Sequence, residues 1–118
     1  MIGVFLDDER DPQDVTWISY KEQMSWIIVR TMQDFKDVVG NLFKLEDQFA
    51  VSFDHDIQDF SNGSELTGYD CVKWMVDECV HCDTKFPLAY FHTQNPIGKQ
   101  NMEGYYNSGL NFFYGKRS

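Results

Sequence analysis

Ile2-Gly3-Val4-Phe5-Leu6-Asp7-Asp8-Glu9-Arg10 is an apolar run that ends abruptly in charge, and Phe49-Ala50-Val51-Ser52-Phe53-Asp54-His55-Asp56 repeats the pattern. A strand buried on both faces reads as an unbroken apolar run, and polar residues arriving together mark its carboxyl end. Both segments are therefore expected to be central parallel strands that deliver acids to one edge of a sheet. Pro87-Leu88-Ala89-Tyr90-Phe91 is a third such run, ending in His92-Thr93-Gln94-Asn95. Trp26 to Arg30, short and rich in β-branched residues, is a further strand closed by Thr31.

Helical patterns fill the intervals. From Asp34, Phe35, Val38, Val39 and Leu42 recur at i, i+3, i+4 and i+7, with Asp34 placed to cap the first turn. Gly68, Val72, Met75 and Cys79 share one face, flanked by Cys71 and Val76, which predicts a helix over about 67–80 with Trp74 at its margin. Asn95-Pro96 looks like an N-cap followed by proline at the first helical position, with the helix running to about Asn107. Leu110 to Tyr114 is a candidate fifth strand between Gly109 and Gly115. Residues 11–25 lack clean periodicity, so a short or irregular helix is expected there; Ile57 to Leu66 reads as an exposed loop and a candidate lid. Alternating strands and helices predict one α/β domain over residues 1–118, a parallel sheet covered on both faces with a ligand crevice at its carboxyl edge.

Composition narrows the partners. A formal charge of −9 opposes binding to long DNA or RNA, which depends on Lys and Arg neutralising phosphates. Beyond Asp83 the balance reverses, with Glu103 set against Lys85, Lys99, Lys116 and Arg117, so a small anion is compatible with that side. Nothing approaches the roughly 20 apolar residues that span a bilayer, and no basic-then-apolar leader pattern opens the sequence, so a cytoplasmic protein without a membrane partner is expected. Cys71, Cys79 and Cys82 are expected as reduced thiols; Cys79 and Cys82 have a CxxC spacing, but the fourth ligand that structural zinc usually needs would have to be Cys71, eight residues upstream in the same helix.

Asp7, Asp8 and Asp54 at neighbouring strand ends repel one another, and a divalent cation, magnesium or manganese by the oxygen donors, is their natural neutraliser. The helix starting at Asn95-Pro96 would turn backbone N–H groups near Gly98 and Lys99 toward a phosphate. His55 and His92 are candidates for a general base and a general acid, with Asp56 beside them. His81, at the far end of a helix, is expected to stand apart. Phe60, Tyr105 and Tyr106 are candidates for stacking on a nucleobase.

Leu6-Asp7-Asp8-Glu9-Arg10, then Ser52-Phe53-Asp54-His55-Asp56, then Thr67-Gly68-Tyr69-Asp70, then His92-Thr93-Gln94-Asn95-Pro96-Ile97-Gly98 through Asn101-Met102 occur in that order. Together they resemble the cyclic-phosphate-processing receiver domains of small bacterial and phage proteins. The resemblance implies a receiver-like (flavodoxin-like) three-layer α/β sandwich with a four- or five-stranded parallel sheet. It implies a metal-assisted phosphoesterase opening a cyclic phosphate on a nucleotide or ADP-ribose derivative, in the bacterial or phage-infected host cytoplasm. Metal would be held by Asp7, Asp8 and Asp54, protons moved by His55, His92 and Asp56, and phosphate held by Thr93, Asn95, Gly98, Lys99 and Asn101. Two other classes share the pocket: a binder that sequesters a nucleotide messenger, and a receiver phosphorylated on Asp54, for which Lys116 is the candidate terminal lysine. The sequence departs from the resembled family at Gln58, where a glycine or similar small residue is usual, and at Thr93, where serine is common. The oligomeric state is left open.

Overall fold

The computed structural model describes residues 1–117, with side chains through residue 115. The strands are β1 (Ile2–Leu6), β2 (Ser25–Val29), β3 (Phe49–Phe53) and β4 (Leu88–Phe91), and the helices are α1 (Met32–Leu45), α2 (Gly68–His81) and α3 (Pro96–Arg117). All strand pairs are parallel, in the order β2-β1-β3-β4. β3, central and apolar but for Ser52, is buried along its whole length, as a strand covered on both faces must be.

Topology decides which face each connection takes. The step from β1 to β2 runs one way across the sheet, while β2 to β3 and β3 to β4 run the other way. Right-handed crossovers therefore place the first connection on one face and α1 and α2 on the opposite one, where α3, which follows the last strand, joins them. Packing agrees: Val4, Leu6, Val51 and Phe53 form one core with Phe35 and Val39 of α1, Val72 and Met75 of α2, and Met102 and Phe113 of α3. On the other face residues 10–24 contain a single 3-10 turn, Pro12–Asp14. The third layer expected from the sequence is thus a strap rather than a helix. It packs Tyr20 edge-on against Trp26 and Tyr90, and Trp26 in turn meets Phe5. Gly3 makes room for it, because a side chain there would come within 2.7 Å of the Trp26 ring.

Two helix boundaries differ from expectation. Thr31 caps α1, its side chain accepting from the Asp34 N–H, so Asp34 lies inside the first turn rather than at the cap. The segment Leu110 to Tyr114 is not a fifth strand but the continuation of α3. Met102, Tyr106, Gly109 and Phe113 follow helical spacing; Met102 and Phe113 are buried in the core, and Gly109 lies against Val76 of α2 so closely that a methyl would overlap it. Glycine there permits close helix packing instead of ending the helix. Cys71 and Cys79 are free and buried on α2, burial pushing the Cys79 thiol up to about 12, while Cys82 and His81 are exposed at its end. No described helix is long and apolar enough to cross a membrane.

Candidate metal and phosphate site

Asp7, Asp54 and His92 are each the first residue beyond their strand, and the parallel register sets them side by side. The Asp7 N–H donates to Val29 O (3.2 Å), the Asp54 N–H to Leu6 O (2.9 Å) and the His92 N–H to Phe53 O (3.0 Å), so the ladder continues one step past Leu6, Phe53 and Phe91. Strand alternation turns those three apolar side chains to the helix face and the polar ones to the strap face. His92 accordingly stacks on Phe5, with ring centroids 4.4 Å apart.

The Asp7 carboxylate is saturated with donors. Oδ1 accepts from the backbone N–H groups of Glu9 (2.9 Å) and Arg10 (2.8 Å), and Oδ2 accepts from His92 Nε2 (3.0 Å) with Arg10 Nη1 at 3.4 Å. Burial opposes its charge, yet these hydrogen bonds, led by that of His92, outweigh it and hold Asp7 down at about 2. Asp54 goes the other way. Burial first, then the charge of Asp7, raises its carboxyl above the ordinary range, with a hydrogen bond from Thr93 and Arg10 Nη1 at 3.9 Å as partial compensation. Asp8, less buried, is raised by desolvation and by the charges of Glu9 and Asp7.

One ligand atom from each of Asp7, Asp54 and His92 falls within 4.8 Å of the others, a group able to hold a metal ion. Two buried carboxylates face one guanidinium here, so the excess negative charge and the mainly oxygen donors fit a hard divalent cation. Asp8 is outside that cluster but lines the same crevice, with Glu9, Arg10, Asp54, Asp56, Gln58, Thr93, Gln94 and Asn95. At about 470 Å³ the crevice has the size of a small-ligand site. The model of the cyclic-phosphate processing receiver domain matches residues 2–108, a span that includes all of these carboxylates. The chain belongs to that family. No curated protein and no solved structure matches it.

Within this receiver domain, the second histidine lies beside the crevice rather than behind it. His55 Nδ1 meets Asp56 Oδ1 at 2.9 Å, and Asp56 Oδ2 accepts from Asn95 Nδ2 at 3.2 Å. The His55 hydrogen bond, ahead of that from Asn95, lowers the Asp56 carboxyl. Gly98 supports the pair, since any side chain there would overlap the His55 ring. His92 is placed differently: it is fully buried, with Nδ1 bonded to Ser52 Oγ at 2.7 Å.

The start of α3 is occupied by its own cap. The Gly98 N–H donates to Asn95 Oδ1 (3.0 Å) and the Lys99 N–H to Asn95 O (2.9 Å), so neither points freely at the crevice. Lys99 pairs with Glu103, and Asn101 is exposed one turn on, outside the crevice wall. Thr93 is in place, its hydroxyl accepting from the Asn95 N–H at 3.2 Å. Tyr105 donates to Asp77 and Tyr106 to the Pro87 carbonyl, which ties both to the helix layer, whereas Phe60 is exposed on the loop beyond Gln58. That loop is pinned by buried Ile57 and by Asp59, whose Oδ2 caps the Met32 N–H. The side chain of Lys116 lies outside the described residues.

Sequence reasoning passed over Arg10. Its guanidinium bridges Asp7, Asp54 and Gln94 Oε1 (3.3 Å) and lies over the Trp17 ring at 5.4 Å. The signal was present in its place directly after the acids. Arg30 was missed too; it clamps the same turn through the Asp7 and Arg10 carbonyls and Asp11.

Proposed function

We propose that this domain is a divalent-cation-assisted phosphoesterase that opens a cyclic phosphate on a nucleotide or ADP-ribose derivative. The observation that carries the reading is the buried Asp7–Asp54 pair sharing one crevice with Asp56, the carboxylate that orients the His55 imidazole beside it. Asp7, Asp8 and Asp54 would hold magnesium or manganese. When bound, such a cation supplies Lewis-acid stabilisation of charge on the phosphoryl oxygens.

The chain's own groups perform the remaining work. Arg10, Thr93 and Gln94, all on the crevice wall, offer donors to the phosphate oxygens. Asp56 engages His55 Nδ1, so proton transfer falls to Nε2. His55 takes a proton from the attacking water as its oxygen bonds to phosphorus. The same proton passes to the ring oxygen as that P–O bond breaks, giving a phosphomonoester. Asn95 keeps Asp56 in place and so positions the base.

Phosphorus NMR on a panel of 2′,3′-cyclic nucleotides, ADP-ribose 1″,2″-cyclic phosphate and cyclic dinucleotides, with magnesium or manganese, tests this. Ring opening that disappears in His55→Ala is expected. A resonance that shifts without converting would replace hydrolysis by sequestration.

A further inference from the structure

Ser52 stands one residue before the carboxyl end of β3, fully buried, where an apolar residue would pack at no polar cost. Its hydroxyl belongs to a chain of four groups. Tyr20 Oη lies 2.8 Å from Ser52 Oγ, Ser52 Oγ lies 2.7 Å from His92 Nδ1, and His92 Nε2 lies 3.0 Å from Asp7 Oδ2. Among the described residues no buried side-chain nitrogen or oxygen lacks a partner, so the chain is closed.

The donors can be ordered by chemistry. An ionised carboxylate accepts only, so Nε2 carries the hydrogen that reaches Asp7. A neutral ring with its hydrogen on Nε2 has a bare lone pair on Nδ1, which must receive the Ser52 hydroxyl hydrogen. Ser52 Oγ in turn accepts from Tyr20. Every hydroxyl then donates once toward the site, and the order ends on Asp7.

We propose that Tyr20, acting through Ser52, is a positioning residue that keeps a donor on Nδ1 of His92, so that the ring, whose Nε2–H form Asp7 sets, is held in place and in turn orients Asp7 for the cation. The assignment of Asp7 to a cation rests on the phosphoesterase reading; the order of the hydrogen bonds does not. The strap is built to hold this end of the chain. Trp17 Nε1 donates to the His92 carbonyl at 2.8 Å, the Lys21 N–H reaches Tyr90 Oη at 3.3 Å, and the Tyr20 ring is wedged between Trp26 and Tyr90. His92 is thus a partner of a ligand rather than a ligand itself, a role in which loss of the outer group typically weakens metal binding about 10–100-fold.

Long-range proton–nitrogen correlation of the 15N-labelled His92 ring decides it, recorded with and without magnesium and compared with Tyr20→Phe and Ser52→Ala. The wild type should carry its hydrogen on Nε2 alone and keep it there when magnesium is added. Ser52→Ala, which leaves Nδ1 without its donor, should shift the Nδ1 resonance and weaken Mn²⁺ binding about tenfold. Tyr20→Phe, which retains the ring packing, should do the same to a smaller degree with little change in melting temperature. A wild-type ring with hydrogen on Nδ1, alone or together with Nε2, overturns the proposal, as do ring spectra and Mn²⁺ affinities identical across the three proteins. Failure to open any cyclic phosphate would count against the phosphoesterase reading while leaving the ring spectrum to decide this one.

Discussion

Gln58 has a backbone φ of 51°, in the left-handed region that favours glycine, and its side chain lines the crevice. Replacing it with glycine removes the Cβ penalty of that conformation, about 1–2 kcal/mol. Against this, glycine loses about 0.4–1 kcal/mol more chain entropy on folding. The net expectation for Gln58→Gly is a gain of roughly 0.5–1 kcal/mol, or about 2–4 °C in melting temperature for a domain of this size. Function should move the opposite way. One neutral hydrogen bond to a ligand is worth roughly 0.5–1.5 kcal/mol, so loss of the carboxamide should lower ring-opening kcat/KM by a factor of about 2 to 10. Calorimetry and the phosphorus assay on the same preparation test both halves. A lower melting temperature would show that Gln58 holds the loop through contacts that outweigh its backbone strain, and an unchanged kcat/KM would remove it from ligand binding.

Gly98→Ala should separate stability from activity in another way: alanine favours the helix by about 0.5–1 kcal/mol, but its methyl overlaps the His55 ring, so turnover should fall while thermal unfolding changes little. Equal losses of turnover and melting temperature would refute that separation. Asp7 predicts an acid limb. Its folded value, about 2, lies below the ordinary side-chain value of 3.8, so its stabilisation of about 2 kcal/mol is fully present above 3.8 and is lost as pH falls toward 2. Urea titrations between those pH values should show a shallower decline in Asp7→Asn than in the wild type; parallel curves would contradict the hydrogen-bonded carboxylate.

Much of this architecture is written in short-range pattern. Leu6 to Asp7 and Phe53 to Asp54 each mark a strand end because burial on both faces demands continuous apolar residues, and a neighbouring register then aligns the two acids. The burial of His92 was not legible in the same way. It depends on Trp17 and Tyr20, which reach it from a strap without periodicity, and no local pattern specifies where such a segment lands. Leu110 to Tyr114 was misread because Gly109 and Gly115 look like breakers, although Met102, Tyr106, Gly109 and Phe113 keep a helical period through them. The N-cap at Asn95 was legible, but the same side chain that starts α3 also takes the N–H group assigned to phosphate.

The free margin of the sheet has a colloidal consequence. β2 is an outer strand, Ser25-Trp26-Ile27-Ile28-Val29 contains no charge, and Ile27 and Ile28 are 38% and 40% exposed. Such an edge is a template for strand addition by another copy, and no proline, bulge or inward lysine within it blocks that growth. Protection is delegated to the whole molecule, whose charge of −9 keeps copies apart. Salt shortens the reach of that repulsion, and acid removes it by protonating carboxylates. Both should drive edge-to-edge precipitation of the folded protein before the helical core opens.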